Sequence, residues 1–284
     1  MEKFENIESY FRVVNQAKKE NKPTCTNCYL NQDKIAKLIE QRRLYYEKLN
    51  GGILIYVDEK RYYEVYYYLN VDAEWHIESR DKKLVIKNIY AGDTKNKKME
   101  KLEERIKASG FSLEDSLRQV EADKEVAEKK IERPYNLAKK IMLQKGFLLV
   151  SPDEELIPQI REFEEHIDKI PVHQFPYFED EELVTLGKEG RCLCMVNNER
   201  ELCGVLVCIE ENSTYGYTAI KEEYQGMFGL AILFSHYLLK LSKEKNIKLL
   251  GWIENNNDKA INYNMSIGYR WAERYMDEWI LDSK

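Results

Sequence analysis

With 284 residues the chain is long enough for two domains, and a hydrophobic content of 43% is ample for packed cores. A net charge of −6 argues against general nucleic-acid binding, which needs a basic surface. The apolar runs are too short to span a bilayer, and Met1-Glu-Lys-Phe-Glu-Asn lacks the basic start and apolar segment of a secretory leader. A cytoplasmic protein with no membrane partner is expected.

In chain order, a helix is expected near Glu5–Lys19 and a second from Asp33 to Leu49, with Ile35, Leu38, Ile39 and Tyr45 on one side and Gly51-Gly52 as its end. Strands follow at Ile53–Val57, Tyr62–Leu69 and Leu84–Tyr90, then a helix at Lys97–Ala108. After Gly110-Phe111 a charged helix runs from Leu113 to about Glu132. Its Lys and Glu residues suit a solvated linker held by i,i+4 pairs, broken at Pro134 before a last helix, Tyr135–Gln144. Tyr62, Tyr63, Tyr66, Tyr67 and Tyr68 crowd one strand, either as core or as an aromatic wall for a substrate or partner.

The second half reads as βααβββαβαβ. A strand at Gly146–Val150 meets Ser151-Pro152-Asp153-Glu154, a helix start with Ser at the N-cap and Pro at the first helical position. That helix reaches about His166, loop prolines stand at Pro171 and Pro176, and a short helix covers Asp180–Leu186. Hairpin strands Arg191–Val196, Leu202–Glu210 and Tyr215–Ile220 lead to a glycine-bearing turn, Gln225-Gly-Met-Phe-Gly. The helix after it carries Leu230, Leu233, Phe234, Tyr237, Leu238 and Leu241 on one face. A strand Lys248–Ile253, a helix from Lys259 to about Ile267 capped by Gly268, and one or two strands over Tyr269–Leu281 complete the order. The division falls between residues 1–145 and 146–284, in an α/β (α+β) chain of mixed sheets flanked by helices.

Glycines at a helix N-terminus admit close approach of another molecule to bare N–H groups, and the partial positive charge there favours phosphate. Two blocks around this turn carry a family resemblance. One is Ile220-Lys-Glu-Glu-Tyr-Gln225-Gly226-Met227-Phe228-Gly229-Leu230-Ala231. The other is Gly251-Trp-Ile-Glu254-Asn-Asn-Asn257-Asp-Lys-Ala260 followed by Gly268-Tyr269. In this order they resemble the GNAT superfamily of acyl-CoA-dependent N-acyltransferases.

The resemblance implies acetyl-CoA or another acyl-CoA as cosubstrate and a primary amine of a small molecule or peptide as acceptor, in a monomer or homodimer. Strand residues Thr218, Ala219 and Ile220 would hold the pantetheine arm. Gln225, Gly226, Met227, Phe228, Gly229, Leu230 and Ala231 would cradle the diphosphate, and Asn257 and Tyr263 would face the pantetheine and thioester. Tyr263 is the candidate acid for the leaving thiolate; the family tyrosine falls at Asn264, one residue on. Glu254 is the first candidate base, with Glu210 and Glu222 as alternatives.

The Tyr90-Ala-Gly-Asp93-Thr-Lys junction has an acid that would repel phosphate, so the first half reads as a degenerate copy without cofactor, or as an unrelated α+β domain. Rival functions are an inactive pseudoenzyme that binds CoA or a partner, and a tRNA-dependent transferase, which the charge disfavours. The six cysteines include a lone Cys25-x-x-Cys28 and four on strand-like stretches, a poor zinc pattern, so no metal is expected. His76, His166, His173 and His236 show no pairing, and His236 lies off the apolar face of its helix.

Overall fold

A computed structural model describes residues 1–92, 96–166, 176–226 and 229–284. Features expected at Asp93, Pro171, His173, Met227 and Phe228 lie outside the described residues. The chain divides into two compact units, Met1–Leu117 with Glu273–Lys284, and Arg118–Ala272. The division expected at 145/146 falls inside the second of these.

The first unit holds β1 (Glu2–Lys3), α1 (Ile7–Glu20), β2 (Thr24–Thr26), α2 (Gln32–Glu40), β3 (Leu44–Leu49), β4 (Gly52–Asp58), β5 (Tyr62–Asn70), β6 (Lys83–Ala91) and α3 (Lys97–Ala108). The start of β7 (Ser112–Ala122) and the end of β13 (Tyr269–Leu281) belong to it as well. Its strands run in the order β1-β3-β4-β5-β6-β13-β7, with β2 paired to β5 off that path. Side chains alternate across the sheet, so Tyr66 and Tyr68 pack with Val14, Ile35 and Leu38 on the α1/α2 face. Tyr63 and Tyr67 pack with Leu102, Ile106 and Trp279 on the α3 face. The tyrosine strand is therefore core, with Tyr67 at 0% exposure, and forms no open aromatic wall.

Two expectations for this half fail for identifiable reasons. The helix expected to reach Leu49 stops at Glu40, and Leu44–Leu49 is the strand β3. Arg42 turns the chain at φ 58°, and the Arg43 guanidinium is fixed by the Asp58 carbonyl at 2.7 Å and the Glu59 carboxylate at 2.6 Å. Gly51-Gly52 makes the β3–β4 hairpin turn and caps no helix. The charged helix expected over Leu113–Glu132 is instead β7 followed by α4 (Lys124–Lys145), which runs on through Pro134.

That helix belongs to the second unit and is no solvated linker: Ala127, Ile131 and Ala138 are buried. It lies against α7 (Ala231–Glu244), with Lys243 meeting Glu128 at 2.6 Å and His236 stacked on Tyr135. The order of these contacts makes the two helices antiparallel.

The rest of the unit follows the expected order. It comprises β8 (Leu148–Val150), α5 (Leu156–His166), α6 (Asp180–Lys188), β9 (Cys192–Val196), β10 (Leu202–Cys208), β11 (Gly216–Ile220), α7, β12 (Leu250–Glu254), α8 (Asp258–Ser266) and the start of β13. The strands β11-β10-β9-β8 form one antiparallel sheet. Leu156, Ile160, Leu183 and Leu186 cover one face of it; α7, α8 and α4 cover the other. β12 lies beside β7, with the Ala122 N–H donating to Leu249 O at 2.9 Å. Cys192, Cys194, Cys203 and Cys208 are buried free thiols, and burial pushes Cys208 up to about 11. Among the described residues no helix is long and apolar enough to cross a membrane, and no cluster of three His, Cys, Asp or Glu residues could hold a metal.

Candidate functional site

The site grows from a fork in the second unit. β11 and β12 lie in different sheets and meet through a parallel bridge between Ser213 and Lys248. One residue on, Thr214 replaces the next rung with its side chain: its hydroxyl donates to Leu250 O at 2.9 Å and accepts from Leu250 N–H at 3.0 Å. From there the strands part.

Backbone parity then decides what faces the opening. Lys221 N–H donates to Cys203 O and Ile209 N–H to Tyr215 O, so the odd-numbered residues of β11 bond to β10. Gly216, Thr218 and Ile220 therefore turn their N–H and C=O groups to the open edge. Thr218 is exposed, whereas Ala219 is 5% exposed and buries its side chain on the α5/α6 face. Of the three strand residues, Thr218 turns its N–H and C=O to the open edge and Ile220 its N–H, the Ile220 carbonyl accepting from Gln225 Nε2, and Ala219 spends its own on the ladder.

Beyond Ile220 a 3-10 turn, Glu222–Tyr224, leads to the glycines. Gln225 Nε2 donates to Ile220 O at 2.9 Å and folds the turn back on the strand end. Gly226 and Gly229 are both left-handed, at φ 74° and 69°. A Cβ on Gly226 would meet nothing within 4 Å among the described residues, and one on Gly229 only the Ile232 side chain at 3.9 Å. The turn thus requires glycine for its backbone. Leu230, the N-cap of α7, has no side-chain cap, so the helix start keeps its affinity for an anion. These residues fit a diphosphate.

β12 ends at half-buried Glu254, whose carbonyl accepts from Asn257 N–H at 3.1 Å. Asn257 is the N-cap of α8, its side chain accepting from Ala260 N–H at 3.0 Å. Tyr263, further along α8, shares a 2.7 Å hydrogen bond with the Ser235 hydroxyl on α7. Burial pushes Tyr263 up to about 12, the Ser235 hydroxyl pulling weakly the other way, so the phenol keeps its proton at neutral pH. Asn264 is tied to its own helix, donating to Ala260 O at 2.8 Å. Of the alternative carboxylates, Glu210 is bonded by the Ser213 hydroxyl at 2.6 Å and Glu222 lies in the exposed 3-10 turn.

The fork and the helix starts thus gather Thr218, Ile220, Gln225, Gly226 and Gly229 around one loop, and Glu254 and Asn257 around the next. Sequence reasoning passed over Thr214 and Ser235. Nothing local marks either one, because their partners lie 36 and 28 residues away.

No protein-family model matches the sequence. No curated protein matches it either. The fold does have solved counterparts. A tandem GNAT protein from the clavulanic acid biosynthesis pathway is 12% identical, with 99% of this chain and 95% of that one covered at a TM-score of 0.53. The GNAT glucosamine N-acetyltransferase region of a fungal multi-domain β-N-acetylglucosaminidase is 11% identical, covering 96% of this chain and 36% of that one at 0.56. A Drosophila protein is 11% identical over 81% of this chain and 74% of its own, at 0.51. The strand fork, the glycine turn on the next helix and these counterparts agree: the chain has the GNAT fold.

Proposed function

We propose that the second unit is an acyl-CoA-dependent N-acyltransferase that moves an acetyl or other acyl group to a primary amine of a small molecule or peptide. The carrying observation is the β11/β12 fork with Gly226 and Gly229 at the start of α7. A fork edge takes the amides of an extended arm, and a helix start takes a diphosphate; acyl-CoA carries both groups in one molecule. When bound, it supplies an activated acyl carbonyl.

The residues of the chain then have separate duties. The edge groups of Thr218 and Ile220 orient the arm, and the backbone of Gly226 and of Gly229, Leu230 and Ala231 anchors the diphosphate. Glu254 accepts the proton that the amine must lose, directly or through a water. Tyr263 gives its phenolic proton to the departing thiolate and regains one from solvent, Ser235 fixing the hydroxyl's direction. The protonated state of Tyr263 at neutral pH supports that duty.

A second reading is a pseudoenzyme that binds CoA without turnover. It draws on Asn264, which stands at the family's tyrosine position and is committed to Ala260 O. Thermal shift with acetyl-CoA tests the common part, and both readings expect a rise in Tm. Thiol release across a panel of amines separates them. Turnover with any amine supports the transferase; binding with silence across a broad panel supports the pseudoenzyme, and no Tm shift removes both.

A further inference from the structure

The first unit contains the same kind of fork, and it is filled. β5 and β6 are parallel partners from Tyr62↔Lys83 to Glu64↔Val85, where their ladder ends. On its other side β5 is occupied by β4 from Asp58↔Tyr63 to Gly52↔Leu69. The pairing of β2 with β5, Thr24↔Asn70 to Thr26↔Tyr68, must therefore use the edge that β6 has left.

Parity again identifies the groups. Glu59 N–H donates to Tyr62 O and Asn70 N–H to Gly51 O, so the even-numbered residues of β5 serve β4, and Val65, Tyr67 and Leu69 face the fork. Asn27, next after β2, bridges both arms. Its Nδ2 donates to Val65 O at 3.1 Å and to Lys87 O at 3.2 Å, and its Oδ1 accepts Tyr67 N–H at 2.8 Å. The segment is held behind this point. Cys28 N–H donates to Thr26 Oγ1 at 2.9 Å, and the Tyr29 hydroxyl donates to Glu64 at 3.1 Å. Residues 71–82, which join β5 to β6, contain no helix, so the connection between these two strands brings no helix start to the fork.

We infer that Thr24–Cys28 is a built-in peptide occupant of the first unit's fork, standing where the second unit's β11 has an edge without a strand partner among the described residues, so that each chain takes up one acyl-CoA, in the second unit. An amide side chain and a two-sided strand contact use the backbone groups an extended amide ligand would need. The stoichiometry rests on the acyltransferase reading; the occupant itself does not.

The test is calorimetric titration of the full chain with acetyl-CoA, alongside residue-resolved amide exchange with and without it, on the native protein and on Asn27→Ala. The expected stoichiometry is one per chain. Acetyl-CoA slows exchange at Thr218 and Leu230 and leaves the already slow Tyr67 amide unchanged. Asn27→Ala speeds Tyr67 exchange by about tenfold or more and lowers Tm, with acetyl-CoA affinity within about twofold of native. Should Asn27→Ala fail to fold, Asn27→Leu keeps the bulk, loses the Oδ1 acceptor and both donor hydrogens, and is read the same way.

Two equivalents per chain, or an acetyl-CoA-dependent change at Tyr67, would overturn the inference. So would a Tyr67 amide that already exchanges in the native protein as fast as in the variant. If no acetyl-CoA is taken up at all, the acyltransferase reading falls and the stoichiometry with it, while a slow Tyr67 amide released by Asn27→Ala still upholds the occupant.

Discussion

Both units contain a pair of parallel strands that separate after a brief contact, yet among the described residues only the first separation takes in another strand. In the first, β5 and β6 part after Glu64↔Val85, and the Asn27 amide spans the gap. In the second, β11 and β12 part after Ser213↔Lys248, and the Thr214 hydroxyl closes only the apex. Parting strands uncover alternate N–H and C=O groups, and those groups need partners. What differs is the connection. In the second unit the chain between the arms returns a glycine turn and the N-terminus of α7 to the opening; in the first, residues 71–82 return no helix. A shared topology becomes a candidate anion site only where that helix start is present.

The strongest way to break this comparison is at the helix start. Gly229→Val forces a β-branched residue to φ 69° and places methyls at the start of α7, so acetyl-CoA affinity should fall by about a hundredfold or more. The control is Gly92→Ala in the first unit, where φ is 82° and nothing lies within 4 Å of a Cβ among the described residues. That change should cost about 1 kcal/mol of backbone strain and leave affinity unchanged. Equal losses in calorimetry would show that the α7 turn has no special part in binding.

Next in size is the acid. Tyr263→Phe keeps the ring and removes the proton, and should lower kcat about a hundredfold with KM for acetyl-CoA little changed. With the native phenol held up to about 12, no descending limb due to its ionisation should appear in the native pH–rate profile near neutrality. A variant with native kcat would move the acid role elsewhere.

A smaller effect tests the apex. Thr214→Val preserves shape but strips both hydrogen bonds from Leu250 at a position 5% exposed. Leaving these buried groups without partners should cost about 1–3 kcal/mol in denaturant unfolding. Because the hydroxyl replaces a ladder rung, the loss should also raise KM for acetyl-CoA. An unchanged KM would mean that the fork angle is fixed by packing alone.

The order of elements in the second unit was legible because its signals are local: an apolar face every three to four residues on α7 and two short hairpin turns; the helix start was misplaced, since Asp153 accepts from Leu156 N–H at the start of α5 while the Ser151 hydroxyl donates to Gly187 O. The first unit was less so. Leu44–Leu49 continued an apolar spacing set by Ile35, Leu38 and Ile39, and the turn that breaks it is held by Arg43 against Asp58 and Glu59, a contact no local window contains. β7 looked like a charged helix because its strand partner, β13, comes more than a hundred residues later; Ser116 meets Asp277 across that separation. At the site, the glycine turn ahead of α7 and the place of Tyr263 on α8 could be read from the chain. The filled state of the other fork could not, since Asn27 lies 38 residues from Val65 and 60 from Lys87.

The smallest expected effect concerns the helix that the glycine turn begins. His236 on α7 stacks on Tyr135 of α4, with ring centroids 3.5 Å apart and planes 7° apart. Burial, then Lys240 and Lys139, lowers its pKa, and Glu128 opposes them. The folded protein therefore holds its proton less tightly than the unfolded chain, where an ordinary histidine titrates near pH 6.5. The sign follows from linkage: the unfolded state binds more protons as pH falls, so this contribution is whole above about pH 6.5 and is lost on acidification below it. Unfolding by urea at pH 7.5 and pH 5.5 should show a decline that His236→Phe, which keeps a flat ring against Tyr135, reduces. The first unit has no counterpart to this stack on α7. Asn27→Ala should therefore lower stability at both pH values by the same amount, and a pH-dependent loss there would show that carboxylates around the filled fork, Glu64 first among them, couple to its occupant.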